Sequence, residues 1–253
     1  MFNFKKDPLK EEKYTIFPGL IHKHEDRILV ELNFSCAAVC AFCTRKRKNI
    51  NDNDFNLGID GWKKVENYID KHSKIKEIIL SGGDPLMTPE LLINILDRLK
   101  KIEQIKIVRI HTRVPITAPQ KVDEKILNYF SKESKKRVFY ISIHCNHKKE
   151  ITTEAKKIIE KLRLSGVILY SQSVFLKDYN DSVLILKDLF IYLLELGVRP
   201  YYIYHCDQID NWQEFRVPLH KERKILRELN KTISGLGCPI LIVDSEKGKK
   251  RVF

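Results

Sequence analysis

No apolar run in this 253-residue chain approaches the roughly 18–20 residues needed to cross a bilayer. The opening stretch, Met1-Phe-Asn-Phe-Lys-Lys-Asp-Pro8, holds no signal-type apolar core. A cytoplasmic chain with no membrane partner is expected. No repeat or low-complexity segment interrupts it, apart from a basic tail at Lys247–Arg251. Acidic residues are in deficit: 33 Asp and Glu against 46 Lys and Arg give a net charge of +13. Such a balance suits an acidic or nucleic-acid partner. The lysines are scattered through every segment, though, with no basic stripe interleaved with aromatics. A solvated surface explains them better, and no nucleic acid is expected. Hydrophobic content of 43% and charged content of 31% are ordinary for a soluble chain. The length fits one large domain or two small ones with a sizeable core.

The six cysteines are unevenly placed. Cys36, Cys40 and Cys43 follow the spacing C-x3-C-x2-C. Thiolates this close can bind one metal centre together. Zinc sites use paired knuckles with a second pair or histidines downstream, and that spacing is missing here. A 4Fe–4S cluster takes one ligand per iron, most often from four cysteines. Three local cysteines would leave one iron open to an exogenous ligand, which makes a reaction site of an electron-transfer centre. Cys145, Cys206 and Cys238 stand alone and read as packing residues in a reducing compartment.

Periodicity predicts an irregular arm over 1–17 and one core domain over 18–253. Strands are expected at 27–34, 77–80, 106–111, 137–144, 167–174, 198–205 and 240–243. Helices are expected at 58–72, 88–102, 121–130, 150–164, 181–196 and 219–233. Thr88-Pro89-Glu90 reads as a cap with proline in the first turn, and Gly197 as a helix stop. The alternation predicts an α/β fold with parallel strands and right-handed crossovers. A partial barrel and a doubly wound sheet both fit it. Polar residues gather where strands end: the cysteines, Ser81 to Asp84, His111 and Arg113, His144 and Asn146, Gln172, His205 and Asp207, and Asp244. In parallel α/β architectures these carboxyl ends share one face, where ligands bind.

The cysteine motif, with Phe42 before its last cysteine, resembles the signature of radical S-adenosylmethionine (SAM) enzymes. Gly19-Leu-Ile-His-Lys-His-Glu-Asp-Arg27, Cys43-Thr-Arg-Lys-Arg47, Leu80-Ser-Gly-Gly-Asp-Pro85, Arg109-Ile-His-Thr-Arg-Val-Pro115, Gln172-Ser-Val174 and Arg199-Pro-Tyr-Tyr-Ile-Tyr-His-Cys-Asp207 resemble the lysine 2,3-aminomutase family. The likeness runs from Pro18 to Asp244. It implies a partial (β/α)6 radical-SAM barrel. It also implies a 4Fe–4S cluster on Cys36, Cys40 and Cys43, with SAM on the open iron and Phe42 near the adenine. Ser81, Gly82, Gly83 and Asp84 would meet the methionine end of SAM, the glycines letting backbone come close; paired glycines equally suit a plain tight turn. Arg113 would grip the substrate carboxylate with its planar fork. Asp207 and Asp244 would receive the side-chain ammonium of L-lysine, since a buried cation needs paired anions. Lys249, with Lys250 as second choice, would hold pyridoxal 5′-phosphate (PLP). The family's Pro-Gly-Gly stretch is shortened there, and the proline after the lysine is absent. His144, Asn146, His147, Gln172 and Tyr204 would line the SAM and PLP pocket.

The reaction so implied is an isomerisation. A reductant feeds the cluster, SAM yields a deoxyadenosyl radical, and the lysine amino group moves from C2 to C3 to give β-lysine. One use is modification of elongation factor P. The larger aminomutases carry further N- and C-terminal regions, so the resemblance implies a minimal version. The alternative is a radical SAM enzyme without PLP that acts on RNA or a protein. A non-catalytic iron–sulfur or nucleic-acid-binding module is a third reading, and the strand-end polar residues speak against it.

Overall fold

The computed structural model describes residues 7–46, 48, 54–207, 213–246 and 248–253. The start of the expected arm, Arg47 of the cysteine motif, part of the loop after it, and Lys247 lie outside the described residues. In chain order the elements are β1 (Thr15–Phe17), β2 (Leu20–His24), β3 (Arg27–Asn33), α1 (Gly58–Asp70), β4 (Glu77–Gly82), α2 (Pro89–Leu99), β5 (Ile107–Thr112), the short α3 (Val114–Thr117), α4 (Glu124–Glu133), β6 (Phe139–His144), α5 (Thr153–Leu164), β7 (Ile168–Val174), α6 (Val183–Glu195), β8 (Arg199–Tyr204), α7 (Leu219–Asn230), β9 (Ile240–Val243) and β10 (Lys250–Arg251).

All ten strands form one sheet in chain order. From β3 to β9 every neighbour is parallel. Helical crossovers join them, giving six β/α units and a final strand. Consecutive strands stay adjacent, so the order never reverses as in a doubly wound sheet. β3 pairs antiparallel with β2, and β9 with β10. The parallel array is therefore a partial barrel. Side chains cross its gap: Lys23 Nζ donates to the Ser245 carbonyl at 2.7 Å, and Lys10 and Lys13 pair with Glu246.

Alternation along the strands explains why the barrel is hollow. Outward positions such as Ile28, Val30, Ile78, Leu80, Val108, Ile110, Ile141 and Ile143 are fully buried against the helices. Each such side chain contributes about 1.5–3 kcal/mol of transfer free energy. Inward positions are polar on the same strands: Glu77 and Ser81; Arg109 and His111; Tyr140, Ser142 and His144; Tyr170 and Gln172; Tyr202 and Tyr204. A period of two thus divides core from cavity. Helices dock by apolar stripes, as with Leu186, Leu189, Phe190 and Leu193 of α6. Their starts are fixed by side-chain caps from Asp123, Thr152 and Ser182.

Three local expectations are corrected. Residues 11–17 are not irregular: Glu11–Tyr14 make a single 3-10 turn and Thr15–Phe17 pair with β2. Lys250 and Arg251 are not a loose tail but pair with Val243 and Ile242. Thr88 caps nothing with its hydroxyl, which instead accepts from Asn33 Nδ2 at 3.0 Å. Edge strands of two to five residues carry too few alternations to be read from a pattern.

Candidate active site

The barrel encloses a cavity of about 670 Å³, lined along the strands and by the loops at their carboxyl ends. Such a volume is in the range of small-molecule sites. Cys36, Cys40 and Cys43 form one wall, joined by Phe42, the end of β4, and inward residues of β5 to β8. Asp207, Asp244 and Lys249 line the same cavity.

The cysteine loop is held by a backbone clamp. Asp84 N–H donates to Ser35 O at 2.9 Å, and Gly83 N–H to Asn33 O. A Cβ on Gly82 would collide with Asn33 O, and one on Gly83 would lie 2.6 Å from the Phe34 carbonyl carbon. Gly82 also sits at φ +120°. The glycines are therefore required by contact with the strand that leads into Cys36. That physical reason differs from the expected close approach of a ligand. Asp84 bonds within the fold. Its carboxylate accepts from Thr112 Oγ1 at 2.7 Å and from the N–H groups of Arg113, Val114 and Leu86 at 2.6, 3.1 and 3.0 Å. Burial pushes its pKa up and these donors oppose the shift. Asp84 thus fixes the end of β5 and presents no spare oxygen to a ligand.

Burial, then Asp84 and the two neighbouring thiols, push Cys36 up to about 12. Crowded neutral thiols of this kind ionise readily onto a cationic centre. Among the described residues no three His, Cys, Asp or Glu converge on a single ion. A cluster instead takes its thiolates on separate irons. Three cysteines spaced along one cavity wall fit that demand better than a mononuclear site.

Arg113 sits between the cysteine loop and Glu150. Its Nη1 donates to Cys40 Sγ at 2.8 Å and its Nη2 to Glu150 Oε2 at 3.0 Å. Both terminal nitrogens thus carry one bond each, while the buried Nε has no partner among the described residues. The guanidinium carbon lies 5.2 Å from the Phe42 ring centroid, and Phe42 stacks on His144 at 4.8 Å. Burial, then Arg113, lowers His144 to about 3, so the ring is neutral. His144 reaches Asn146 Oδ1 at 3.2 Å. Asn146 itself is wholly buried and accepts from Val174 N–H at 2.8 Å, so it supports the wall and does not line the cavity. His147 is also off the cavity, tilted against Tyr179. His205 turns away to Glu222 at 2.9 Å.

A second group of charges lies at the carboxyl ends of β8 and β9. Burial, and next the Asp244 charge, lift Asp207 to about 7. Two carboxylates within electrostatic range in a partly dry cavity form a ready site for a cation. Lys249 Nζ donates to Tyr204 OH at 2.6 Å and lies 4.8 Å from the Tyr202 ring. Desolvation is the largest influence on it; Asp244 opposes, and Arg109 and Arg27 add to the lowering, to about 8. Polar atoms of cavity-lining residues without a hydrogen-bond partner among the described residues include His111 Nε2, Ser142 Oγ, Gln172 Nε2 and the Nε of both Arg109 and Arg113. Their strands are in register, His111 beside Ser142 and His144 beside Gln172. Unpaired groups this buried are what a polar ligand satisfies.

Several lining residues escaped the sequence reading as site residues. Arg45 is engaged by Glu11 at 2.5 Å and Glu31 at 3.1 Å, and Arg109 pairs with Glu77. Tyr140, Tyr170 and Tyr201 complete an aromatic wall. The available signal was a charged or phenolic residue at alternate positions of an otherwise apolar strand.

The fold and the cysteine wall together define the radical SAM type of partial barrel. A radical SAM methyltransferase from Sphaerobacter thermophilus has the same fold (TM-score 0.62, 13% identity, 88% of this chain and 68% of that one). So does native anSMEcpe with bound AdoMet and a Cp18Cys peptide (TM-score 0.59, 12% identity, 81% and 58%). No family model matches. Among curated proteins, L-lysine 2,3-aminomutase of Escherichia coli K12 is 35% identical over 239 residues, 94% of this chain and 68% of that protein. That of Buchnera aphidicola subsp. Baizongia pistaciae is 35% identical over 257 residues, 99% and 73%. The chain belongs to the L-lysine 2,3-aminomutase family. Against the Methanococcus maripaludis member, 35% identical over 248 residues, it spans 56% of the relative's length.

Proposed function

We propose that this chain converts L-lysine to β-lysine as a radical SAM isomerase that uses PLP. The observation that carries the reading is that two interacting carboxylates, Asp207 and Asp244, line the same chamber as Lys249 and as Cys36, Cys40 and Cys43. When bound, the reduced cluster with SAM supplies a carbon radical, and PLP supplies delocalisation for the substrate radical. The chain's own residues bind and orient. Cys36, Cys40 and Cys43 hold the cluster. Phe42 and neutral His144 offer a flat aromatic shelf beside it. Asp207 and Asp244 take the lysine side-chain ammonium, whose charge returns Asp207 to the carboxylate form. Lys249 has its amine partly unprotonated near neutral pH, as a carbonyl-binding lysine needs. Arg27 and Arg109 supply the positive charge that a phosphate requires near Lys249. His111, Ser142 and Gln172 supply unpaired polar atoms for cofactor or substrate. A cellular reductant, a cytoplasmic setting and supply of β-lysine for elongation factor P complete the reading.

The test is anaerobic. The reconstituted full chain is given PLP, SAM, dithionite and L-lysine, and products are read by mass spectrometry. β-Lysine with 5′-deoxyadenosine is the expected result. Deoxyadenosine without β-lysine would sink the substrate assignment. Neither product, from protein with an intact cluster, would sink the isomerase reading.

A further inference from the structure

We infer that Arg113 is a positioning cation for the iron–sulfur centre: held by Glu150, it donates to the Cys40 sulfur and raises the reduction potential of a cluster bound there. This rests on the reading that Cys36, Cys40 and Cys43 hold a cluster. It replaces the substrate-carboxylate role for Arg113.

Both the backbone of Arg113 and the two terminal nitrogens of its guanidinium are held. The Arg113 N–H is pinned by Asp84 Oδ2 at 2.6 Å. Its Nη2 meets Glu150 Oε2 at 3.0 Å, and the other Glu150 oxygen accepts from Tyr179 OH at 2.9 Å. Phe42 lies under the cation at 5.2 Å. These contacts come from the turn after β4, the turn after β6, the loop after β7 and the cysteine loop, and they converge on one outcome: Nη1 at 2.8 Å from Cys40 Sγ. Each terminal nitrogen spends one of its N–H groups here, one on a sulfur and the other on an acid, and Nε is the donor without a partner among the described residues.

The consequence is electrostatic. Reduction adds one electron to the cluster from an external reductant, and part of that charge resides on the sulfurs. A fixed cation and an N–H···S bond stabilise the reduced form more than the oxidised one. Glu150 acts in the opposite sense, because its negative charge offsets part of the arginine's field. The two residues should therefore move the potential in opposite directions. Loss of fold alone would not produce that pattern.

The experiment is a mediated redox titration of the anaerobically reconstituted full chain without SAM, followed by electron paramagnetic resonance. The parent protein, Arg113→Gln, Arg113→Lys and Glu150→Gln are compared after iron analysis. In Arg113→Gln the reduced-to-oxidised ratio at fixed potential should fall about tenfold, equivalent to about 59 mV for one electron. Arg113→Lys should recover much of this, and Glu150→Gln should shift the ratio upward. A ratio in Arg113→Gln within about twofold of the parent, or a downward shift in Glu150→Gln, overturns the inference. An unchanged potential with lost lysine binding in Arg113→Gln overturns it in favour of the carboxylate role. If Arg113→Gln retains no iron, the sign in Glu150→Gln decides. If the parent protein takes up no cluster, the cysteine reading falls and this role falls with it.

Discussion

Replacing Asp207 by asparagine should make the ligand-free chain more stable at alkaline pH and leave it nearly unchanged in acid. Asp207 is held at about 7, by burial first and by Asp244 second. An unfolded aspartate ionises near about 3.9. Between those values the folded protein keeps a proton that the unfolded chain releases, so stability falls as pH rises. The loss begins near about pH 4 and is complete above about pH 7. Each pH unit in that window is worth about 1.4 kcal/mol, which gives about 4 kcal/mol in full. Water entering at the open mouth reduces this, so about 2–4 kcal/mol is expected. Asparagine does not titrate and escapes the cost. The assay is urea unfolding of parent and Asp207→Asn at a series of pH values, without ligands. The gain should be within about 1 kcal/mol of zero near pH 4, grow to pH 7, and stay flat beyond. Adding L-lysine at pH 8 should raise the parent's midpoint more than the variant's. A gain that does not vary with pH, or a variant that is less stable at pH 8, would refute the reasoning.

Lys249→Ala should abolish the visible absorbance of added PLP and the borohydride-fixed label on that peptide, while Lys250→Ala keeps both. Since Lys249 lies near 8, its labelling by PLP should be half-maximal near pH 8 instead of near about 10.4, and Asp244→Asn should lower that midpoint further because Asp244 raises it. Gly83→Ala should cost about 3 kcal/mol or more in urea unfolding and lower iron uptake, because the new Cβ meets the Phe34 and Ser35 backbone. Asp84→Ala strands four donors and should cost about 3–5 kcal/mol, with weaker protease protection of the β5 end as the local readout.

Much of the fold was legible because its elements are long and periodic. The seven parallel strands each occur where the pattern predicts them. α4 was the main slip, running Glu124–Glu133 instead of 121–130, because Asp123 and not the preceding segment caps it. The hairpins at the barrel's edges were not legible; their pairing partners, as for Thr15 with Ile21, are fixed by the sheet they join. At the site, the cysteines, Asp207, Asp244, Gln172, Tyr204 and Lys249 were named from motifs, and all line one cavity. Asn146 was named by the same logic and lies behind the wall. Strand-end position fixes which end of the barrel a residue occupies, but not whether its side chain turns inward.

The order of elements, the parallel sheet and the cadence of cysteines are written along the chain. These depend on local period and spacing, which are one-dimensional. What each polar group meets was set by folding. It set Arg113 against Cys40 and Glu150, residues 73 and 37 positions away. It consumed Asp84 in four hydrogen bonds and set Asp244 beside Asp207. Those outcomes depend on burial and on charges brought together by the barrel's curvature. Because electrostatic energy depends on distance in space and on the water excluded between groups, no reading along the chain contains it.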